Sequence, residues 1–202
     1  MSGDTVAQET HIVNLRELPG PRLPGGEGVW VFVCGDLLIF SLFFCVFLDY
    51  RSQDIALFAQ SASTLNLTYG LLNTLVLLAS SWFMVAALKA FRVKQYRQLK
   101  AFSWAALICG LLFVLLKVFE YKEKLSLGLG LTTNDFFMFY FVLTGIHLLH
   151  VFIGLIIVGW LTFVIEHDKD RLSESIVESA CIFWHMVDLL WIVLFPLLYL
   201  LP

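Results

Sequence analysis

The chain has 202 residues and a formal net charge of −3; 59% of it is hydrophobic and only 14% is charged. Soluble domains run at about 45–50% apolar and about 25% charged. That balance excludes a soluble globular enzyme and a basic nucleic-acid binder, and it fits a protein that lives in lipid.

Crossing a hydrocarbon core about 30 Å thick takes roughly 20 apolar residues at about 1.5 Å each. Five segments qualify, at about 28–48, 69–88, 101–119, 136–165 and 176–201. The sequence therefore predicts an all-α membrane protein: one five-transmembrane-helix bundle over 28–201, preceded by a flexible N-terminal tail over 1–27. The tail is polar and carries Pro and Gly, unlike a basic stretch leading straight into an apolar core, so no cleaved leader is expected. Glu27 suits the positive end of the first helix.

In the first span Asp36 stands without a charged neighbour of its own, although an ionisable group in lipid costs about 2.5–3.5 kcal/mol. Its partner must come from another helix, or the carboxyl must stay protonated. The loop "DYRSQDIALFAQSASTLN" ends in residues that suit the start of the second span, and its "IALFA" is expected at the membrane interface. The glycosylation triplet at Asn66 adjoins the membrane and is discounted. Asn73, Ser80 and Ser81 offer hydrogen bonds between helices. The short basic connector "KAFRVKQYRQLK" makes the second and third spans antiparallel neighbours, with Tyr96 available to the headgroup layer.

Near the end of the third span, Lys117, Glu120 and Lys124 are spaced for charge pairing and for snorkelling to the interface. "SLGLGLTTND" then turns the chain, leaving Thr133, Asn134 or Asp135 to cap the fourth helix. That helix is longer than a crossing requires, which implies tilt or projection. Its "TGIHLLHVFIG" aligns Thr144, His147, His150 or Val151, and Gly154 in a strip of small and polar groups of the kind that joins helices. Axial ligation of a haem is the alternative, but His147 and His150 are one turn apart and His185 is the single further candidate.

The fifth span, "FWHMVDLLWIVLFP", keeps His185 and Asp188 three residues apart, with Trp184, Asp188 and Trp191 sharing one side. They read as a structural hydrogen bond or as a proton-handling or partner-facing pair. Cys34, Cys45, Cys109 and Cys181 form no paired motif and read as small buried residues. No inverted repeat or broken helix pair suggests a transporter. Arg16, Arg22, the Lys89–Lys100 connector, Lys169 and Arg171 outnumber Arg51, Lys117, Lys122 and Lys124 on the other side. The N-terminus is thus expected in the cytoplasm and the C-terminus in the periplasm.

Taken together, "GVWVFVCGDLLIFSLFF", "FEYKEK", "TGIHLLHVFIG" and "WHMVDLLWIVLFPLLYL", in this order and spacing, resemble subunit III of the haem-copper oxidases over most of the chain. On that resemblance Asp36 takes the place of the family's intramembrane carboxylate and Glu120 that of the Glu of its E-Y motif. His147 and His150 fall on G-x-H-x-x-H, and Trp184, His185 and Asp188 on W-H-x-x-D. Longer members have seven helices, two of which form one arm of a lipid-filled cleft. The five-helix form, with "LFAQSASTLN", "GLLNTLVLLASSW" and "TTNDFFMFYF", looks most similar to the branch associated with bacterial nitric oxide reductase, and subunit III of a cytochrome c or quinol oxidase is the alternative. The resemblance implies an accessory subunit in a bacterial inner membrane, with no catalytic residue, cofactor or metal of its own. It would support the assembly, durability or proton supply of a catalytic partner. A small independent haem-binding or proton-conducting protein is the remaining alternative.

Overall fold

The computed structural model describes residues 23–201. Residues 1–22 of the expected tail, with Arg16 and Arg22, lie outside the described residues. The helices are α1 Glu27–Gln53, α2 Ile55–Ser63, α3 Leu67–Arg92, α4 Tyr96–Ser126, α5 Asp135–His167 and α6 Glu174–Phe195. The last continues as a wider turn, Pro196–Leu200, closed by Leu201 N–H to the Pro196 carbonyl at 3.0 Å. All except α2 are long and apolar enough to cross a membrane. The chain is a multi-pass membrane protein.

Each crossing helix except the last in its C-terminal turn outruns the predicted span. The prediction measured what fits in hydrocarbon, whereas a helix continues into the headgroup layer as long as its backbone bonds persist. α4 gains most, reaching Ser126 rather than 119.

The α3–α4 turn takes three residues, Val93 to Gln95. Gln95 N–H bonds to the Ala90 carbonyl and Lys94 N–H to that of Phe91, both at 2.9 Å. This paired closure of a helix end requires a left-handed residue, and Lys94 supplies it at φ 57°. The end of α4 closes the same way through Gly128, φ 74°. The two helices leave the first turn antiparallel and pack along their length.

The "IALFA" stretch forms α2: Asp54 caps the helix by accepting from Leu57 N–H at 3.0 Å, and Phe58 turns inward between Phe47 and Phe136, with ring centroids at 5.4 and 5.7 Å. Asn66 caps α3 through Thr68 N–H at 3.0 Å. Among the three candidates ahead of α5, Asn134 is the cap, accepting from Phe137 N–H at 2.9 Å and donating to Ser61 Oγ at the same distance.

The core sits on α5 and α6, which bury the broadest faces. α1 lies at the edge and buries only Val33, Asp36, Phe40 and Phe47. A stripe that narrow leaves Cys34 and Cys45 facing outward, contrary to expectation; Cys109 is half-buried and only Cys181 is buried, all as free thiols. Where α4, α5 and α6 meet, the Trp184 indole fills the gap between two glycines. A Cβ on Gly154 would stand 2.7 Å from Trp184 Cζ3, and one on Gly110 2.8 Å from its Cη2. Trp184 is completely buried as a result.

Candidate functional site

The polar residues within the spans collect in three places. The deepest is built on α4. Because α4 runs on to Ser126, Lys117 stands inside the bundle rather than at its rim, and its side chain and that of Glu120 are 1% and 0% exposed. Lys117 Nζ donates to Glu120 Oε2 at 2.9 Å, to Tyr199 Oη at 3.1 Å and to Tyr140 Oη at 3.4 Å. Tyr199 in turn donates to Glu120 Oε1. The faces of Trp191, Tyr140, Tyr121 and Tyr199 surround the ammonium at 5.0 to 5.7 Å. A cation held over desolvated aromatic faces gains about 2 kcal/mol per good contact.

Lys117 was expected to snorkel and instead is enclosed. Lys124 likewise turns inward, donating to the Thr64 carbonyl at 2.7 Å and pairing with Glu123 at 3.2 Å rather than with Glu120. The Pro196 turn brings Tyr199 here: proline has no N–H, the α-ladder widens, and the ring is turned onto the ion pair. Gly70 leaves room for it, since a Cβ there would meet Phe195 at 2.7 Å and Tyr199 at 3.0 Å.

The second place joins α1 to α5. Asp36 Oδ1 lies 3.0 Å from His150 Nε2, both side chains 10% exposed. His150 Nδ1 lies 2.9 Å from the Ile146 carbonyl. A carbonyl only accepts, so Nδ1 carries a hydrogen. The Nε2–Oδ1 contact then needs one proton between them, and the pair is net neutral whichever partner holds it. Phe40 covers the imidazole edge-on at 5.7 Å.

The third place lies between α3 and α6. Ser81 Oγ approaches His185 Nδ1 at 2.5 Å, whereas Asp188 Oδ2 stays 3.9 Å away. His185 thus bonds Ser81 across to α3, while His185 and Asp188 are not within hydrogen-bond distance of each other. Asp188 is buried, and the His185 side chain is 38% exposed on the outer face of the bundle. His147 stays apart from all three. It is fully buried between the Phe113 and Trp191 rings, at 5.7 and 5.3 Å, with no side-chain hydrogen bond among the described residues. The small-residue strip on α5 is all buried, and Thr144 bonds Tyr121 Oη at 2.6 Å. Of the polar residues on α3, Ser80 donates to the Ala106 carbonyl at 3.0 Å.

Sequence reasoning missed Tyr140 and Tyr199, which look ordinary among so many aromatics. It also missed the clamp at the opposite end, where Arg92 pairs with Glu174 at 2.9 Å and Glu178 at 2.7 Å. Glu178 Oε2 also accepts from Gly25 N–H at 2.7 Å, and Ser179 Oγ from Gly26 N–H at 3.1 Å. The available signal was that "ESIVES" puts two carboxylates one turn apart, beside a basic helix end. Among the described residues no three of His, Cys, Asp and Glu gather as a metal ion would require. Chemically, these centres join helices: each links side chains that lie far apart in sequence or closes a buried charge on itself.

The family described as cytochrome c oxidase subunit III matches over residues 25–201. The chain is 34% identical to cytochrome c oxidase subunit 3 of Thermostichus vulcanus, covering 100% of this chain and 98% of that one. It is 31% identical to cytochrome bo(3) ubiquinol oxidase subunit 3 of Buchnera aphidicola, covering 86% and 84%. A haem-copper oxidase subunit I+III of Aeropyrum pernix is 27% identical over 91% of this chain and 24% of its own length. These relatives are oxidase subunits, so the expected alternative fits them better than the nitric oxide reductase branch does.

Proposed function

The chain belongs to the cytochrome c oxidase subunit III family, and from that premise we propose that it is the accessory third subunit of an oxygen-reducing haem-copper oxidase in a bacterial cell membrane. The observation that carries this reading is similarity across all five crossings to oxidase subunits named for both cytochrome c and ubiquinol. The Aeropyrum relative carries subunits I and III in one chain, which supports a lasting contact with the catalytic subunit. The basic end, with Arg92, Arg97, Lys100 and Lys169, is taken as cytoplasmic.

Purification in mild detergent tests the proposal. The chain should elute with a haem-bearing subunit, and the complex should consume oxygen. A complex that reduces nitric oxide and leaves oxygen untouched would overturn it in favour of a nitric oxide reductase. Elution of this chain alone with a Soret band would favour an independent haem protein.

Within the complex, Asp36 is assigned a role in packing or local protonation where α1 faces α5. Asp36→Asn keeps the volume but removes the net-neutral proton exchange with His150. It should reduce turnover or shorten the time over which turnover persists, by about 2–10-fold for the net loss of one hydrogen bond. Oxygen-electrode traces followed to inactivation check it. Unchanged traces with unchanged subunit recovery remove the role.

A further inference from the structure

The outward strip of α6 beside its seam with α3 is apolar except for one imidazole. His185 stands there with its side chain 38% exposed, and Leu189 and Ile192 follow at 50% and 47%. We propose that this strip receives a membrane-crossing helix of the catalytic subunit, and that His185 Nε2–H donates a hydrogen bond to an acceptor side chain on that helix. The proposal rests on the accessory-subunit reading above and adds the face and the bond by which the partner is held.

Proton placement sets the direction of that bond. Ser81 Oγ and His185 Nδ1 lie 2.5 Å apart, the one side-chain hydrogen bond of Ser81 among the described residues. Thr74, Thr144 and Thr162 return their hydroxyl hydrogens to the carbonyl four residues back, but Ser81 does not. Nor does Asp188 take the hydrogen, since its oxygens bond nothing among the described residues. The hydroxyl therefore donates to Nδ1, which leaves the hydrogen of a neutral imidazole on Nε2. A ring protonated by the nearness of Asp188, 3.9 Å away, carries the same outward hydrogen. Nε2 is thus a donor, and it has no acceptor among the described residues.

Depth excludes the acceptors of the lipid itself. At about 1.5 Å per residue, His185 lies about 17 Å from Glu174 and about 22 Å from Leu200 along the helix, near the middle of a core about 30 Å thick. Phosphates and ester carbonyls stop at the edges of that core. The backbone carbonyls of another crossing helix are engaged in its own ladder. A hydroxyl, amide or carboxyl side chain of a neighbouring helix remains, the polar contact that joins crossings in lipid. A quinone carbonyl is the other acceptor soluble at this depth, but the surroundings fit a helix. Leu189 and Ile192 prolong the strip at four and seven residues from His185, the spacing of one helical ridge. Leu71 and Leu78, 46% and 45% exposed, each come three residues before a seam residue, Thr74 or Ser81, and carry the face onto α3.

The complex purified in mild detergent provides the test. A photoreactive phenylalanine analogue at Leu189 or Ile192 should crosslink to the haem-bearing subunit, whereas one at Ile108 or Leu115, exposed on α4, should not. His185→Phe should let the catalytic subunit dissociate about 2–10-fold faster, for the net loss of one hydrogen bond. His185→Gln keeps an N–H donor and should stay near the unaltered rate. An unchanged melting temperature of each full-length variant separates loss of contact from loss of fold. Crosslinking from α4 alone, from both faces equally or from neither overturns the proposal and leaves the accessory-subunit reading standing. So does an unaltered rate in His185→Phe, a His185→Gln variant that dissociates as fast as His185→Phe, or a bound quinone lost from His185→Phe while subunit recovery is unchanged. Absence of any haem-bearing partner from the unaltered chain overturns both.

Discussion

Lys117→Met lowers the stability of the bundle by about 3–5 kcal/mol, the usual consequence of removing one partner from a buried ion pair. The substitution keeps the length of the side chain but leaves Glu120 enclosed with a hydrogen bond from Tyr199 alone. It also empties the aromatic cage of its cation. Glu120→Gln acts in the same direction, since the Lys117 ammonium, 1% exposed, then has no counter-charge. Lys117→Met combined with Glu120→Leu should recover most of the loss, because replacing both ions by apolar groups removes the desolvation cost together with the attraction. Thermal unfolding in mild detergent, followed by the fraction of protein left monodisperse, ranks the three variants. The idea fails if the single variants melt with the unaltered chain, or if the double variant is as weak as the sum of the two singles.

Trp184→Ala produces the second large effect, a loss of about 3–5 kcal/mol from deleting a fully buried indole and leaving the gap it filled. Gly154→Ala alone costs about 1–3 kcal/mol by overpacking, because its new methyl would stand 2.7 Å from the indole. The informative measurement is the combination. With the indole gone, the Gly154 methyl enters vacated space, so the double variant should be no weaker than Trp184→Ala and the two effects strongly non-additive. The same melting assay decides it. Simple additivity would show that Gly154 and Trp184 do not share the contact described.

These two sites differ in how far the sequence discloses them. The crossings were legible because lipid imposes a composition on every residue of a span, and Asn134 was legible as a cap because its chemistry is local. Asp36 could be recognised as needing a mate from another helix, but His150, 114 positions later, is one of several candidates on a strip whose rotation no local pattern fixes. Lys117 was misjudged for a related reason. Counting the span as finished at 119 put the lysine at a rim, whereas α4 runs seven residues further and its aromatic enclosure comes from Tyr121 in that extension, α5, α6 and the turn after Pro196. Tyr199 depends on that turn, and a tyrosine among many carries no sign of its destination. His185 and Asp188 share a helix face as their spacing requires, yet the choice of Ser81 over Asp188 as the imidazole's partner depends on the register of α3 against α6.

Two polar ties hold α1 at its post: Gly25 and Gly26 against Glu178 and Ser179, and Asp36 against His150. Every one of these receptors emerges from the ribosome more than a hundred residues after the group it receives. At about 5–20 residues per second of synthesis, α1 waits on the order of 5–30 s before the last of these receptors exists. The α3–α4 hairpin needs no such delay. By its polar ties, α1 is made before the α3–α4 hairpin and locked in after it.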